Sequence, residues 1–237
     1  MTPPTDSPLD SLLAAADRAL RALFAPAPAS RPVPGSQGST GSAPPTASSV
    51  GSASAGTSPG APAAPPLSST DTRTSAALMR VNHAGEIAAQ GLYHGQALVA
   101  RSERTRQLLL EAAKEESDHL AWCATRLQEL GSRPSLLDPL WYAGSFVIGA
   151  VTALSGDRTS LGLVVETERQ VERHLDTHLE RLPADDHRSR AILEAMRNDE
   201  IAHGEHAKDA GGAELPGPLR TAMRHTARVM THTAHFI

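Results

Sequence analysis

Glutamate and histidine recur at one spacing in two places, Glu116-Ser-Asp-His119 and Glu200-Ile-Ala-His203. Residues three apart on a helix share a face, so each pair can aim one carboxylate and one imidazole at the same point. Oxygen and nitrogen donors without thiolate suit iron or manganese rather than copper(I) or an iron–sulfur cluster. One Glu-x-x-His is common on a solvated helix. Here each follows a further inward glutamate: Glu86 precedes Glu116 by 30 positions, and Glu168 precedes Glu200 by 32.

All six residues interrupt apolar stripes. Glu116 fills the heptad slot between Ala113 and Leu120, and Glu200 and His203 fill the slots between Met196 and Ala207. Glu168 falls among Leu161, Val164, Val171 and Leu175, and Glu86 falls between Met79 and Ala89. Helical geometry turns the neighbouring Glu166 about 200° away, toward solvent, and leaves Glu172 at the stripe's edge. Isolated buried carboxylates cost many kcal/mol, and the seams offer no Lys or Arg to pair them. Two divalent cations would balance four carboxylates. One Glu from each of two helices plus Glu-x-x-His from each of two others is the ligand set of dinuclear carboxylate bundles.

The elements that must position these residues are helices. The periodicity predicts them over 72–101, 104–130, 138–154, 158–182, 186–209 and 216–235. Gly131 closes the second, Pro134 follows as a stop, and Pro183 ends the fourth. Asp157 is expected to cap the fourth helix and Asp185 or Asp186 the fifth. No segment alternates as a strand does. The fold class is therefore all-α: an antiparallel four-helix bundle of the ferritin-like kind over 71–237, with two additional helices and an N-terminal amphipathic helix within 1–25. That first helix spans Pro8–Phe24, with Leu9, Leu12, Leu13, Ala16, Leu20 and Leu23 at helical spacing. Between them, 26–70 is almost entirely Ala, Pro, Ser, Gly and Thr, with Arg31 its only charge before Asp71. Such a composition predicts a disordered linker.

The chain has 237 residues, a net charge of -4 and one cysteine. That balance argues against a nucleic-acid partner, and Cys123 alone can form neither an internal disulfide nor a four-cysteine cluster. A small core role is expected for it. The opening Met-Thr-Pro-Pro-Thr-Asp has no basic head or apolar core, so no secretory leader is expected. The apolar stretch Leu136–Leu154, with Trp141, Tyr142, Phe146 and Val147, contains the run Pro139–Leu154, which is too short to cross a bilayer. It is either a membrane-facing or tail-binding surface or a helix–helix or subunit interface. His83 and His94 flank Glu86, and His174 follows Glu168 by six positions, close enough to orient a ligand or substrate. His187 opens a helix, and His225, His232 and His235 have no carboxylate at ligand spacing.

Several stretches are recognisable. Leu78-Met-Arg-Val-Asn-His-Ala-Gly-Glu86 with Gly91-Leu-Tyr-His-Gly-Gln96 resembles the opening motif of the demethoxyubiquinone hydroxylases. Glu115-Glu-Ser-Asp-His119, Glu166-Thr-Glu-Arg-Gln-Val-Glu-Arg-His174 and Arg197-Asn-Asp-Glu-Ile-Ala-His203 are similar to that family's later motifs. Ser11–Leu23 resembles the N-terminal helix of its bacterial members, and the long segment 26–70 departs from their spacing. The resemblance implies a di-iron monooxygenase of ubiquinone biosynthesis that uses O2 and an electron donor to hydroxylate a polyprenyl benzoquinol. It implies two iron ions per subunit, held by Glu86, Glu116, His119, Glu168, Glu200 and His203, with Glu116 and Glu200 as bridges. It also implies peripheral attachment to the cytoplasmic side of the cell membrane, and it allows a homo-oligomer. The rival readings are a ferritin-like iron store or peroxide-reducing protein with the same ligands, and a metal-free helical module on a membrane surface.

Overall fold

A computed structural model describes residues 7–36 and 66–237. Residues 1–6, and 37–65 of the expected linker, lie outside the described residues. Within them the chain forms seven helices and no strand: α1 (Pro8–Phe24), α2 (Ser69–Val99), α3 (Glu103–Glu129), α4 (Asp138–Leu154), α5 (Asp157–Arg181), α6 (His187–Asp209) and α7 (Gly217–Phe236).

Local chemistry sets the ends. α2 starts three residues earlier than expected because Ser68 Oγ accepts from Asp71 N at 3.1 Å. At the end of α3, Gly131 takes φ +65°, Ser132 N donates to Leu127 O and Gly131 N to Gln128 O, a Schellman closure. Asp186 caps α6 as expected, accepting from Ser189 N. Asp157 does not cap its own helix. Its carboxylate accepts from Arg101 N and Ser102 N, each at 2.9 Å, and so anchors the turn before α3 instead.

The short connections 100–102 and 182–186 make hairpins of α2 with α3 and of α5 with α6. The hairpins meet through α3 against α6 and α2 against α5, with α4 and α7 lying on α2. The core has two apolar layers. Leu78, Met79, Trp122, Cys123, Leu127, Leu175, Ile192, Leu193 and Met196 form one. Tyr93, Ala97, Leu109, Ala113, Val164 and Ala207 form the other. On each of the four helices, the six residues singled out above fall between these layers in chain order.

α4 lies backbone to backbone on α2. A Cβ at Gly91 would meet the carbonyl of Tyr142, one at Gly95 that of Phe146, and one at Gly149 that of Leu92. A polar contact accompanies this packing: His94 Nδ1 stands 2.8 Å from the Tyr142 hydroxyl, while His83 Nδ1 lies 3.1 Å from Asp138 Oδ2 without an aligned hydrogen bond. His83 and His94 thus face α4 residues rather than the six singled out above. Trp141 and Phe146 also pack inward, and Tyr142 is buried. The outward face of α4 and the turn before it carries Leu136, Leu140, Val147, Ile148, Val151 and Leu154.

Of the leucines in the α1 stripe only Leu23 docks, and alanines supply the rest of the contact. Ala15 is buried, and Ala19, Ala22 and Leu23 pack against Ile87, Leu120 and Tyr142. Leu9, Leu12, Leu13 and Leu20 stay 57–64% exposed. Small alanines allow close helix approach, so the larger apolar residues point outward. The stretch after α1 also differs from a free linker. Ala27 joins the same cluster as α1, Val33 packs on the first core layer, and the Val33 and Pro34 carbonyls accept from Arg188.

Candidate metal centre

Each helix brings its residues to one layer because the flanking apolar positions leave it no other register. Ligand atoms of Glu86, Glu116, His119 and Glu200 lie within 4.8 Å of one another, and so do those of Glu116, Glu168, Glu200 and His203. The two groups share Glu116 and Glu200. All six residues singled out in the sequence are here, and all are buried.

The imidazoles present the same nitrogen. His119 Nδ1 stands 2.9 Å from Glu116, 3.3 Å from Glu200 and 3.7 Å from Glu86. His203 Nδ1 stands 3.2 Å from Glu116 and 3.6 Å from Glu200. Each Nε2 points outward to an acid on the opposite hairpin: His119 to Asp199 at 2.8 Å, His203 to Glu115 at 2.6 Å. Asp199 and Glu115 each immediately precede a shared glutamate. The crossed arrangement is the same on both hairpins: each imidazole reaches the acid that precedes the other hairpin's shared glutamate. An Nε2–H donated to a carboxylate leaves Nδ1 free to bind a cation.

Electrostatics fit the same reading. Burial pushes the Glu86 and Glu168 carboxyls well above the usual range. Burial acts on Glu116 and Glu200 too, but the adjacent imidazoles outweigh it and hold both low. The carboxylates in turn raise His119 against its burial and raise His203 to about 12. Without a metal this pattern is neutral only because Glu86 and Glu168 keep their protons; two divalent cations would balance all four ionised carboxylates with both imidazoles neutral. Buried Glu116 Oε1, Glu168 Oε1 and His203 Nδ1 have no aligned hydrogen-bond partner, as expected of atoms reserved for a metal. The layer is a Glu/His cluster able to bind metal.

Other acids do not join. Glu172 pairs with Arg197 at 3.8 Å. Glu166 corrects the expectation of solvent exposure: it is buried, with Gln170 at 2.8 Å and Arg169 at 3.4 Å covering its carboxylate from its own helix. His174 does not reach the layer. Its ring lies 3.8 Å from that of His178, and both line a recess of about 410 Å³ with His232 and His235.

Sequence reasoning passed over Asp199, Glu115 and Arg31, although an acid before each Glu-x-x-His was a visible signal for the first two. It also excluded basic residues from the seams. Arg126 is buried on α3, bonded to Asp186 and Ser189, and Arg31 reaches the outer side of His119.

The comparisons with known proteins agree with this geometry. The family model described as "Ubiquinone biosynthesis protein COQ7" matches residues 73–234. A 3-demethoxyubiquinol 3-hydroxylase of Ralstonia pickettii (strain 12J) is 56% identical over 229 residues, covering 97% of this chain and 100% of its own. Enzymes of the same name from Xanthomonas campestris pv. campestris (strain 8004) and Bordetella petrii are 52% and 50% identical. Each covers 97% of this chain, with 94% and 92% of its own length matched. A helical chain with a doubled Glu/His layer, matched over that layer by one family and over nearly its full length by such relatives, belongs to the COQ7 family of ubiquinone biosynthesis proteins.

Proposed function

We propose that the protein is a 3-demethoxyubiquinol 3-hydroxylase, a di-iron monooxygenase that adds a hydroxyl to the ring of a polyprenylated demethoxybenzoquinol. The observation that carries this reading is the sharing of Glu116 and Glu200 between two four-residue groups in one buried layer. Glu86 and His119 would complete one iron site, and Glu168 and His203 the other. When bound, the iron pair supplies the two-electron activation of O2 and transfer of one oxygen atom to the ring. The balance requires a donor of two electrons and two protons, with the second oxygen atom leaving as water.

The chain's own residues do the positioning. Asp199 and Glu115 fix both imidazoles with Nδ1 inward. The apolar layers on either side keep bulk water from the centre. No described helix is long and apolar enough to cross a membrane. Exposed Leu9, Leu12, Leu13, Leu20 and Phe24 of α1 and Leu140, Val147, Val151 and Leu154 of α4 provide an apolar surface for peripheral contact with the cytoplasmic face of the cell membrane. α1 and α4 contact one another as well as α2, so these residues can act together, which single short apolar helices do weakly.

The test uses iron-loaded protein, a reductant, ¹⁸O2 and a short-tailed demethoxyubiquinol. One ¹⁸O atom in the ring hydroxyl, found by mass spectrometry, is expected. O2 consumption without label in the ring, by protein carrying its full iron, would overturn the reading.

A further inference from the structure

Both imidazoles face Glu116 and Glu200 with Nδ1, but their outer partners are unequal. Glu115, which receives His203 Nε2–H, is 60% exposed. Asp199, which receives His119 Nε2–H, is 26% exposed and held a second time: Arg31 Nη2 donates to the same Oδ2 at 2.8 Å. The guanidinium is itself fixed. Its Nε donates to buried Asp118 at 2.8 Å, and Asp118 also accepts from Ser30 N and Ser30 Oγ. The group stacks 4.7 Å above the Trp122 ring, whose Nε1 donates to the Arg31 carbonyl. On the far side, the Arg188 guanidinium pins the Val33 and Pro34 carbonyls to α6. Residues 30–34 thus cross the α3–α6 seam as a clasp over His119, and nothing among the described residues does the same for His203.

We infer that Arg31 is a positioning residue of the metal centre, and that its clasp makes the Glu86–His119 site the tighter and first-filled of the two. The inference rests on the metal reading above. Charge does not separate the sites. Arg31, Asp118 and Asp199 sum to one negative charge, the same as Glu115 alone. What differs is freedom: Asp199 is held by Arg31 as well as by His119, whereas the more exposed Glu115 is held by His203 alone among the described residues. A segment with almost no apolar side chains therefore has a role at the site.

The experiment is a stepwise cobalt(II) titration of metal-depleted full-length protein, followed by calorimetry and visible absorption. Wild type is expected to bind in two steps, the tighter lost in His119→Ala and the weaker in His203→Ala. Arg31→Ala combined with Asp118→Asn keeps the local charge at minus one and removes the clasp. It should weaken the tighter step about tenfold and leave the weaker unchanged. Arg31→Lys retains charge but cannot span both carboxylates, and should fall between. A tighter step that keeps its affinity in the double variant overturns the inference alone. So does equal weakening of both steps, which marks a general loss of packing. Absence of saturable binding by wild type overturns the metal reading itself.

Discussion

Gly95 of α2 faces the Phe146 carbonyl of α4 with no space for a Cβ between them. An alanine there gains helix propensity of about 1 kcal/mol. It also collides with backbone, which cannot rotate aside as a side chain can. Gly95→Ala is therefore expected to lose about 1–3 kcal/mol net, by analogy with overpacked cores. Urea denaturation reads this directly, and an unchanged or higher midpoint would contradict the close approach.

Glu168 and Glu166 lie two residues apart and are both buried, so burial alone does not tell them apart. Partners do. Glu168 Oε1 has no aligned hydrogen-bond partner and lies in the group with Glu116, Glu200 and His203, while Gln170 and Arg169 reach the Glu166 carboxylate. Glu168→Gln is expected to hold about one iron rather than two and to lose hydroxylation, whereas Glu166→Gln keeps both. Elemental analysis with the ¹⁸O assay checks this. Full iron retention in Glu168→Gln would remove that residue from the centre.

The His174–His178 pair sets a limit at acid pH. Burial holds His174 down at about 4, with Arg181 adding to it. Burial, then His174 itself, pushes His178 to about 2, while its Nδ1 stands 2.8 Å from Asn82 Oδ1. Unfolded histidines protonate near 6.5. Both therefore favour the folded state fully above that pH, and the contribution is lost as pH falls toward 4. Each costs up to about 1.4 kcal/mol per unit. The metal centre titrates as well, so the comparison is between wild type and His174→Gln/His178→Gln at pH 7 and pH 5. The double variant should lose less stability between the two, and an equal loss would refute the assignment.

The six centre residues were legible because a carboxylate inside an apolar stripe contradicts its surroundings, and four such contradictions point to one resolution. Helix ends were legible to within a few residues wherever a cap was local, as at Gly131 and Asp186. Partners chosen by tertiary contact were not. Asp157 anchors the turn before another helix, whereas Glu166 was missed for a local reason, the cover that Arg169 and Gln170 give it from its own helix. The stripe of α1 showed which residues are apolar without showing which ones the bundle covers. Alanine packed where leucine was the stronger sequence signal. Arg31 was unreadable for a different reason. Its segment lacks periodicity, and its contacts depend on Asp118 and Asp199, which lie on two different helices.

The glycine seam between α2 and α4 also has a mechanical consequence. Interiors this dense transmit strain rather than absorb it. Gly91 sits five residues beyond Glu86 on the same uninterrupted helix, and the main chain of α4 at Tyr142 lies directly against it. A side chain added at Gly91, Gly95 or Gly149 would therefore have to lift α4 off the helix that carries Glu86, with no rotamer able to absorb the overlap.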